Sequence, residues 1–412
     1  MTFEFFLPSA GTVKNIQLRL SDQQQKKTFS FRTFLRISEE DWDTEKQRPK
    51  NIYLKKYKKL NTKLDMIKKE LAEYIREKRK DKKRVGQREL SRKITSVCTE
   101  KVKKFPENTL LYYAKCYIDA KKEFICPSTY KRYKVFFHLL ARFEGFSCQR
   151  LCIEQVNSDF VRDFMAFGKE EEYSENTIYR TIHFVKTILN FAERKGIRTC
   201  VRELEVRREK QKKEVITLTE KEIAQIKYTD VPERLQAAKD WLLISCYTGQ
   251  RFSDFMHFDT KKLKEVNGKM CLAFVQQKTK KDILLPLHPT VLNALQRNEN
   301  NFPRLMDIQH YNNEIKEIAK LANLNELVKA RKRLGFRSKE VEAEKWEILS
   351  SHIGRRSFAT NFYGKIPTPL LMEATGHSTE QMFLRYINPV DKERILSLSN
   401  YFDRMYEERV AV

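Results

Sequence analysis

Glycine and proline are scarce in this chain, 11 of each among 412 residues. Few positions therefore force the backbone to break, and long helices are expected. No run of about 18 apolar residues occurs, so no transmembrane helix is expected. The opening stretch "MTFEFFLPSAGTVKN" has neither a basic start nor a long apolar core, and it does not read as a secretory signal. There is no glycine-rich phosphate loop, so nothing points to an ATPase. The eight cysteines are scattered. Only Cys148 and Cys152 lie close together, and no His/Cys pair with zinc-finger spacing accompanies them. They read as reduced thiols of a cytoplasmic protein, with no metal and no cofactor expected.

Positive charge is what the chain has in excess. Lys and Arg number 81 against 55 Asp and Glu, a formal charge of +26. The excess runs along the whole length rather than in one tail. A globular protein this basic most often binds a polyanion, nucleic acid above all. A hydrophobic content of 41% is enough for real cores. The expected class is mainly α with small β elements (α+β).

Residues 1–50 differ from the rest. "FEFFLP", "NIQLRL" and "KTFSFRTFLRI" are short apolar or alternating runs, and they predict a small antiparallel sheet with Trp42 as a packing anchor. Residues 53–104 read as a charged helical stretch. Leu60, Leu64, Ile67, Leu71 and Ile75 give it one apolar stripe, leaving a basic outer face that is solvated or turned to DNA. After Pro106, four helical segments fill residues 107–203, with Ser158 and Ser174 as expected N-caps and Gly196 at the last helix end. The expected domains are 1–104, 105–203 and 215–412, with 204–214 as a charged linker. The third block opens on the cap pattern "TLTEKE" and continues through a helix stopped by Gly249. Two strands follow around the turn Lys278–Asp282, then helices to the C-terminus.

Four stretches of this block carry unusual polar groups: "YTGQRFSD", "QQKTKKD", "SSHIGRRSFAT" and "TGHSTEQMFLRYI". They supply Arg251, turn lysines, His352 and Arg355 three apart, and His377 nine residues before Tyr386. Ser378 and Gln381 form a capping box, predicting a helix that carries Tyr386 two turns along. Singly, each residue has an ordinary reading: Arg251 a helix-end cap, His352 and Arg355 a surface pair, the lysines solvated, Tyr386 one more packed aromatic beside Met382 and Phe383. Together they suit a phosphodiester. Two guanidiniums can bind its non-bridging oxygens, a tyrosine can attack phosphorus, and a lysine or histidine can protonate the departing oxygen.

These motifs resemble the catalytic domain of the tyrosine recombinase, or phage integrase, family. "TGQRFSD" is similar to its first arginine motif, "SHIGRRSFAT" to its His-x-x-Arg motif, and "TGHSTEQMFLRY" to its Gly-His box and tyrosine. Residues 107–203 resemble the family's helical, SAM-like core-binding domain. Residues 1–50, ending in "DWDTEKQRPK", resemble the arm-binding sheet of integrases from conjugative transposons and mobile elements of Bacteroides-type bacteria.

The resemblance implies that Arg251 and Arg355 clamp the scissile phosphate and that His377 hydrogen-bonds it. Lys278 would protonate the 5′ oxygen; Lys280 and Lys281 share its turn. His352 would assist proton transfer at Tyr386, the nucleophile, and Asp254 would buttress the site. Arg356 and Thr375 depart from the family's usual histidine and leucine, at positions outside the core catalytic set. Lys131, Arg132, Thr177, Arg180 and Lys186 are candidate DNA contacts on the helical domain. The implied partners are duplex DNA, three further protomers in a tetramer, and accessory DNA-bending or directionality proteins, with no membrane. The implied location is the bacterial cytoplasm, on the nucleoid. The apolar positions Ile395, Leu396, Leu398 and Phe402 predict a last helix that packs on its own domain or a neighbour. A non-cleaving DNA-binding regulator and a type IB topoisomerase-like enzyme are the other classes compatible with the scaffold.

Overall fold

The computed structural model describes residues 1–8, 13–22, 27–51, 54–99, 105–206, 215–334 and 337–387, with 399, 403, 406 and 407. The linker residues 207–214 and the expected contacts of Ile395, Leu396, Leu398 and Phe402 lie outside them. The chain forms two compact units, one chiefly of residues 1–210 and one chiefly of residues 211–412.

The first unit begins with the antiparallel sheet expected from the alternating pattern. Strands β1 (Thr2–Phe6), β2 (Val13–Asp22) and β3 (Lys27–Ser38) pair in that order. Ile16, Leu18 and Leu20 face inward while Arg19 faces out, the period of two that a half-buried strand requires. A short ribbon of β4 (Trp42–Asp43) and β5 (Arg48–Pro49) follows, with Trp42 buried. The charged stretch forms two helices rather than one, α1 (Lys55–Lys80) and α2 (Gln87–Thr99). The predicted stripe of α1 packs into the sheet's core with Leu90, Ile94 and Val97 of α2.

Helices α3 (Leu110–Lys121), α4 (Pro127–Ser147), α5 (Ser158–Glu170) and α6 (Glu175–Glu193) make the second core of this unit. Ser174 caps α6 as expected, accepting from the Thr177 amide. The cap of α5 is Asn157 rather than Ser158, because the Asn157 carboxamide oxygen accepts from both the Asp159 and Phe160 amides.

The charged face of α1 is not wholly solvated. Asn61, Asp65 and Lys69, spaced four apart, are buried. Lys69 Nζ donates to Glu144 of α4 at 2.8 Å, and Arg48 Nη2 donates to Asp65 at 2.6 Å. Arg150 reaches Glu70 and Glu73 at 2.7 Å. Gly145 permits this approach, since a Cβ there would stand 2.3 Å from the Asp65 Cβ. A charge run reads as solvated in sequence because its partners stand outside it, 17 residues from Asp65 and 75 from Lys69.

The second unit is built around α8 (Glu233–Thr248), in which Trp241, Leu242, Leu243 and Ile244 are all buried. A helix apolar on every side must be covered on every side. Around it stand α7 (Glu220–Tyr228), α10 (Pro289–Arg297), α11 (Ile308–Leu321) and α13 (Ile353–Phe362). Thr219 and Glu222 form the capping box that starts α7, as "TLTEKE" predicts. Gly249, at φ +66°, ends α8, and the short α9 (Phe252–Phe255) follows. The sheet has three strands instead of the expected two: β6 (Leu263–Val266), β7 (Lys269–Val275) and β8 (Asp282–Pro286), antiparallel in that order.

The expectation of helices alone beyond this sheet is corrected. A second hairpin, β9 (Leu327–Leu334) and β10 (Arg337–Glu344), precedes α12 (Lys345–Ile348). Its charged residues, "LVKARKRL" and "RSKEVEAE", hide the alternation of a strand. The unit continues through α14 (Thr368–Thr375) and α15 (Glu380–Phe383). No helix among the described residues is long and apolar enough to cross a membrane.

The ion pair between α1 and α4 gives a test. Glu144→Ala strands a buried ammonium and removes the acceptor of the Leu151 amide. It should destabilise the first unit by about 3 kcal/mol in urea unfolding; a change within about 0.5 kcal/mol would show the pair to be dispensable.

Candidate active site

Arg355 lies in the first turn of α13, and its burial begins with its neighbour. A Cβ on Gly354 would stand 1.9 Å from Ser245 Oγ of α8, so glycine lets the two helices touch. That contact carries Arg355 wholly inside. Its Nη1 donates to the Gly249 carbonyl at 2.9 Å and its Nη2 to His377 Nε2 at 2.9 Å. Its Nε has no hydrogen-bond partner among the described residues. Burial, and then the charge of Arg251, push its pKa down to about 10, so it remains a cation at neutral pH.

Arg251 sits at the N-terminus of α9, just past the stop at Gly249. Its Nη1 donates to Gln276 Oε1 at 3.1 Å and stands 3.9 Å from Asp254 Oδ2. Asp254 is buried, and its other oxygen accepts from the Gln277 amide at 2.8 Å. One carboxylate thus faces Arg251 and holds the hairpin between β7 and β8.

The hairpin presents its lysines differently. Lys278 is exposed, Lys280 takes the left-handed conformation at φ +55°, and Lys281 Nζ donates to the His377 carbonyl at 3.4 Å. Of the three, Lys281 is therefore the one in contact with the Gly-His segment, while the charge of Lys278 acts at His352. His352 is exposed at the start of α13. Desolvation of its ring, and then the charges of Arg356, Arg355, Arg251 and Lys278, lower its pKa.

Tyr386 is placed by a shorter device than expected. Thr379, not Ser378, caps α15, because its hydroxyl accepts from the Met382 amide. The helix lasts one turn and passes into a 3-10 turn, Leu384–Tyr386, so Tyr386 is not two turns along a helix. Phe383 is fully buried and does the packing, while Met382 is exposed, contrary to the expected pair. Thr360 Oγ1 donates to the Tyr386 carbonyl at 3.0 Å. The Tyr386 ring lies 5.1 Å from that of His377, with the Arg355 guanidinium carbon 5.5 Å from its centre.

His377 is buried between these groups. Its Nδ1 lies 2.8 Å from Thr375 Oγ1, and its Nε2 accepts from Arg355. Burial, then the charges of Arg355, Arg251 and Lys281, push its pKa down to about 3. Arg355, His377 and Tyr386 are thus in direct contact, and Arg251 is linked to them through Gln276 and Thr375.

Sequence reasoning missed the side chains that join them. Gln250 and Gln276 are fully buried. Gln276 Nε2 donates to Gln250 Oε1 at 2.9 Å and to the Thr375 carbonyl at 3.0 Å, while Gln250 donates to the Ala374 carbonyl at 2.7 Å. The one sequence signal was their place inside two of the four polar stretches. In the first unit, Lys131 and Arg132 are exposed on the second turn of α4. On α6, Arg180 is exposed, Lys186 half-buried, and the Thr177 hydroxyl bonded to Ser174 at 2.8 Å.

The phage integrase SAM-like domain matches residues 109–199, and the phage integrase family matches residues 216–393. The chain belongs to the phage integrase family, the tyrosine-type site-specific recombinases, enzymes that cut and rejoin DNA. Among solved structures, the Tn1549 transposon integrase in complex with circular intermediate DNA is 15% identical. Its match covers 71% of this chain and 99% of that one, with a TM-score of 0.51. XerH recombinase bound to palindromic difH substrate is 12% identical over 82% of this chain and 97% of that one, with a TM-score of 0.51. At these identities the likeness is one of fold. No curated protein matches the chain in sequence.

The depressed pKa of His377 has a measurable sign. Unfolded, the ring protonates near pH 6.5; folded, it resists protonation until about 3. Below pH 6.5 the unfolded state binds the extra proton, so stability falls as pH drops toward 3. Between about pH 7.5 and 5 the urea midpoint of the wild type should fall more than that of His377→Gln. Equal falls would mean that the folded ring titrates normally.

Proposed function

We propose that the chain recombines DNA at specific sites through a 3′-phosphotyrosyl intermediate, integrating, excising or inverting a DNA element via a Holliday junction. The observation that carries this reading is the buried Arg355 guanidinium, held beside both His377 and the Tyr386 ring with its Nε unpartnered among the described residues. A cation kept in such a place lowers the energy of an anion that arrives there. Arg251 supplies the second guanidinium, and Asp254 faces it. The two clamp the non-bridging oxygens of the scissile phosphate, with His377 adding a hydrogen bond.

The Tyr386 hydroxyl attacks phosphorus and its proton passes to His352. The bond from phosphorus to the 5′ oxygen breaks, and Lys278 supplies the proton that oxygen needs. One phosphoester replaces another, so reversal from a new 5′-hydroxyl reseals the strand without ATP. The substrate is duplex DNA, contacted at phosphates by Lys131, Arg132, Thr177, Arg180 and Lys186. The working assembly is a tetramer spanning two duplexes, helped by DNA-bending or directionality proteins. The enzyme acts in the bacterial cytoplasm, on the nucleoid.

Nicked suicide duplexes, taken from DNA flanking the gene and incubated with chelator, test the chemistry. Wild-type protein should yield a denaturant-resistant adduct, Tyr386→Phe none, and Arg355→Ala about 10³-fold less. Salt-sensitive binding with no adduct from the wild type would move the reading to a non-cleaving regulator. A 5′-bridging sulfur leaves without a proton, so it should restore cleavage to Lys278→Ala. Restoration of Lys281→Ala instead would transfer the acid role to Lys281.

A further inference from the structure

Thr375 was legible only as a departure from a family pattern. It is wholly buried at the C-terminal end of α14, two residues before His377. Its hydroxyl stands 2.8 Å from His377 Nδ1 and 2.6 Å from the Leu371 carbonyl, with the Met372 carbonyl farther off at 3.4 Å. Its own carbonyl is held by Gln276 Nε2 at 3.0 Å, which fixes the residue against the hairpin.

The proton positions follow from what each group can do. A guanidinium only donates, so His377 Nε2, at 2.9 Å from Arg355 Nη2, must be the bare acceptor. A neutral imidazole keeps one proton, and it therefore sits on Nδ1 and is donated to Thr375 Oγ1. The Thr375 hydroxyl in turn donates to the Leu371 carbonyl. A histidine in this tautomer offers nothing to a phosphate, because its Nε2 carries no hydrogen.

Donation from His377 to the scissile phosphate, part of the proposed strand cleavage, requires the opposite tautomer. Resting on that proposed function, we propose that Thr375 is a positioning residue that lets His377 exchange tautomers when the phosphate takes Arg355 from it. The proton then resides on Nε2 and is donated to a phosphoryl oxygen. The bare Nδ1 accepts from Thr375, whose O–H turns from the Leu371 carbonyl to the ring. A hydroxyl serves both states because it donates and accepts; an aliphatic side chain serves neither. The exchange moves one proton between the two ring nitrogens through solvent or the site, with no net gain or loss.

Two measurements test this. The first is the ¹⁵N spectrum of histidine-labelled full-length Tyr386→Phe protein, with the His377 signals identified by their loss in His377→Gln. Without DNA the proton should be on Nδ1; with a specific duplex it should be on Nε2. A signal that keeps the proton on Nδ1 in the complex overturns the proposal, whether or not the enzyme cleaves. The second is the cleavage rate on nicked duplexes. Thr375→Val, which keeps the shape, should bind DNA as the wild type does but cleave about 10-fold more slowly, the worth of one hydrogen bond. Thr375→Ser should restore the rate. Equal rates for Val and Thr, or no recovery with Ser, would overturn the role of the hydroxyl. Absence of cleavage by the wild type would instead count against the recombinase chemistry, and the tautomer spectrum would still decide the switch.

Discussion

The site depends on a buried cation that touches no carboxylate among the described residues. Arg355 spends its N–H groups on the Gly249 carbonyl and on His377, and keeps its Nε unpartnered among the described residues. Desolvation and the charge of Arg251 disfavour it, and its pKa falls to about 10. An ordinary core would remove such a charge or pair it. Here the surrounding helices hold it in place, and the proposed scissile phosphate would relieve that electrostatic stress.

The means of holding it are geometric. The contact of Gly354 with Ser245 brings α13 onto α8, and the stop at Gly249 turns a carbonyl toward the guanidinium. A chain of buried amides does the rest. Gln276 connects Arg251, Gln250 and Thr375, so the first arginine, the lysine hairpin and the Gly-His segment share one hydrogen-bonded network. Tyr386 sits on a 3-10 turn past a one-turn helix, anchored by Phe383. Such a short support ties the tyrosine to the rest of the domain through the buried side chains of Phe383 and Ile387 and the bond from Thr360.

Much of this was legible in the sequence, for identifiable reasons. The chemistry of a phosphodiester calls for residue types that are rare in combination, so Arg251, His352, Arg355, His377 and Tyr386 stood out by kind and order. Local caps also speak in sequence, as Thr219 with Glu222 and the stop at Gly249 did. What stayed hidden was non-local. Thr379 replaced Ser378 as a cap because backbone geometry, not residue type, decides between adjacent hydroxyls. The buried pairs of Asp65 and Lys69 turn on partners in other elements, Arg48 and Glu144, and the hairpin β9–β10 is written in charged residues. Gln250, Gln276 and Thr375 are polar in sequence, and only burial makes them consequential.

The measurement closest to the central claim is the chemical identity of the covalent bond. The adduct trapped on a nicked duplex should be digested with trypsin and nuclease and the peptides weighed. A nucleotide should be esterified to the peptide containing Tyr386, on the phenolic oxygen. A nucleotide on any other residue, Tyr363 or Ser378 included, would contradict it.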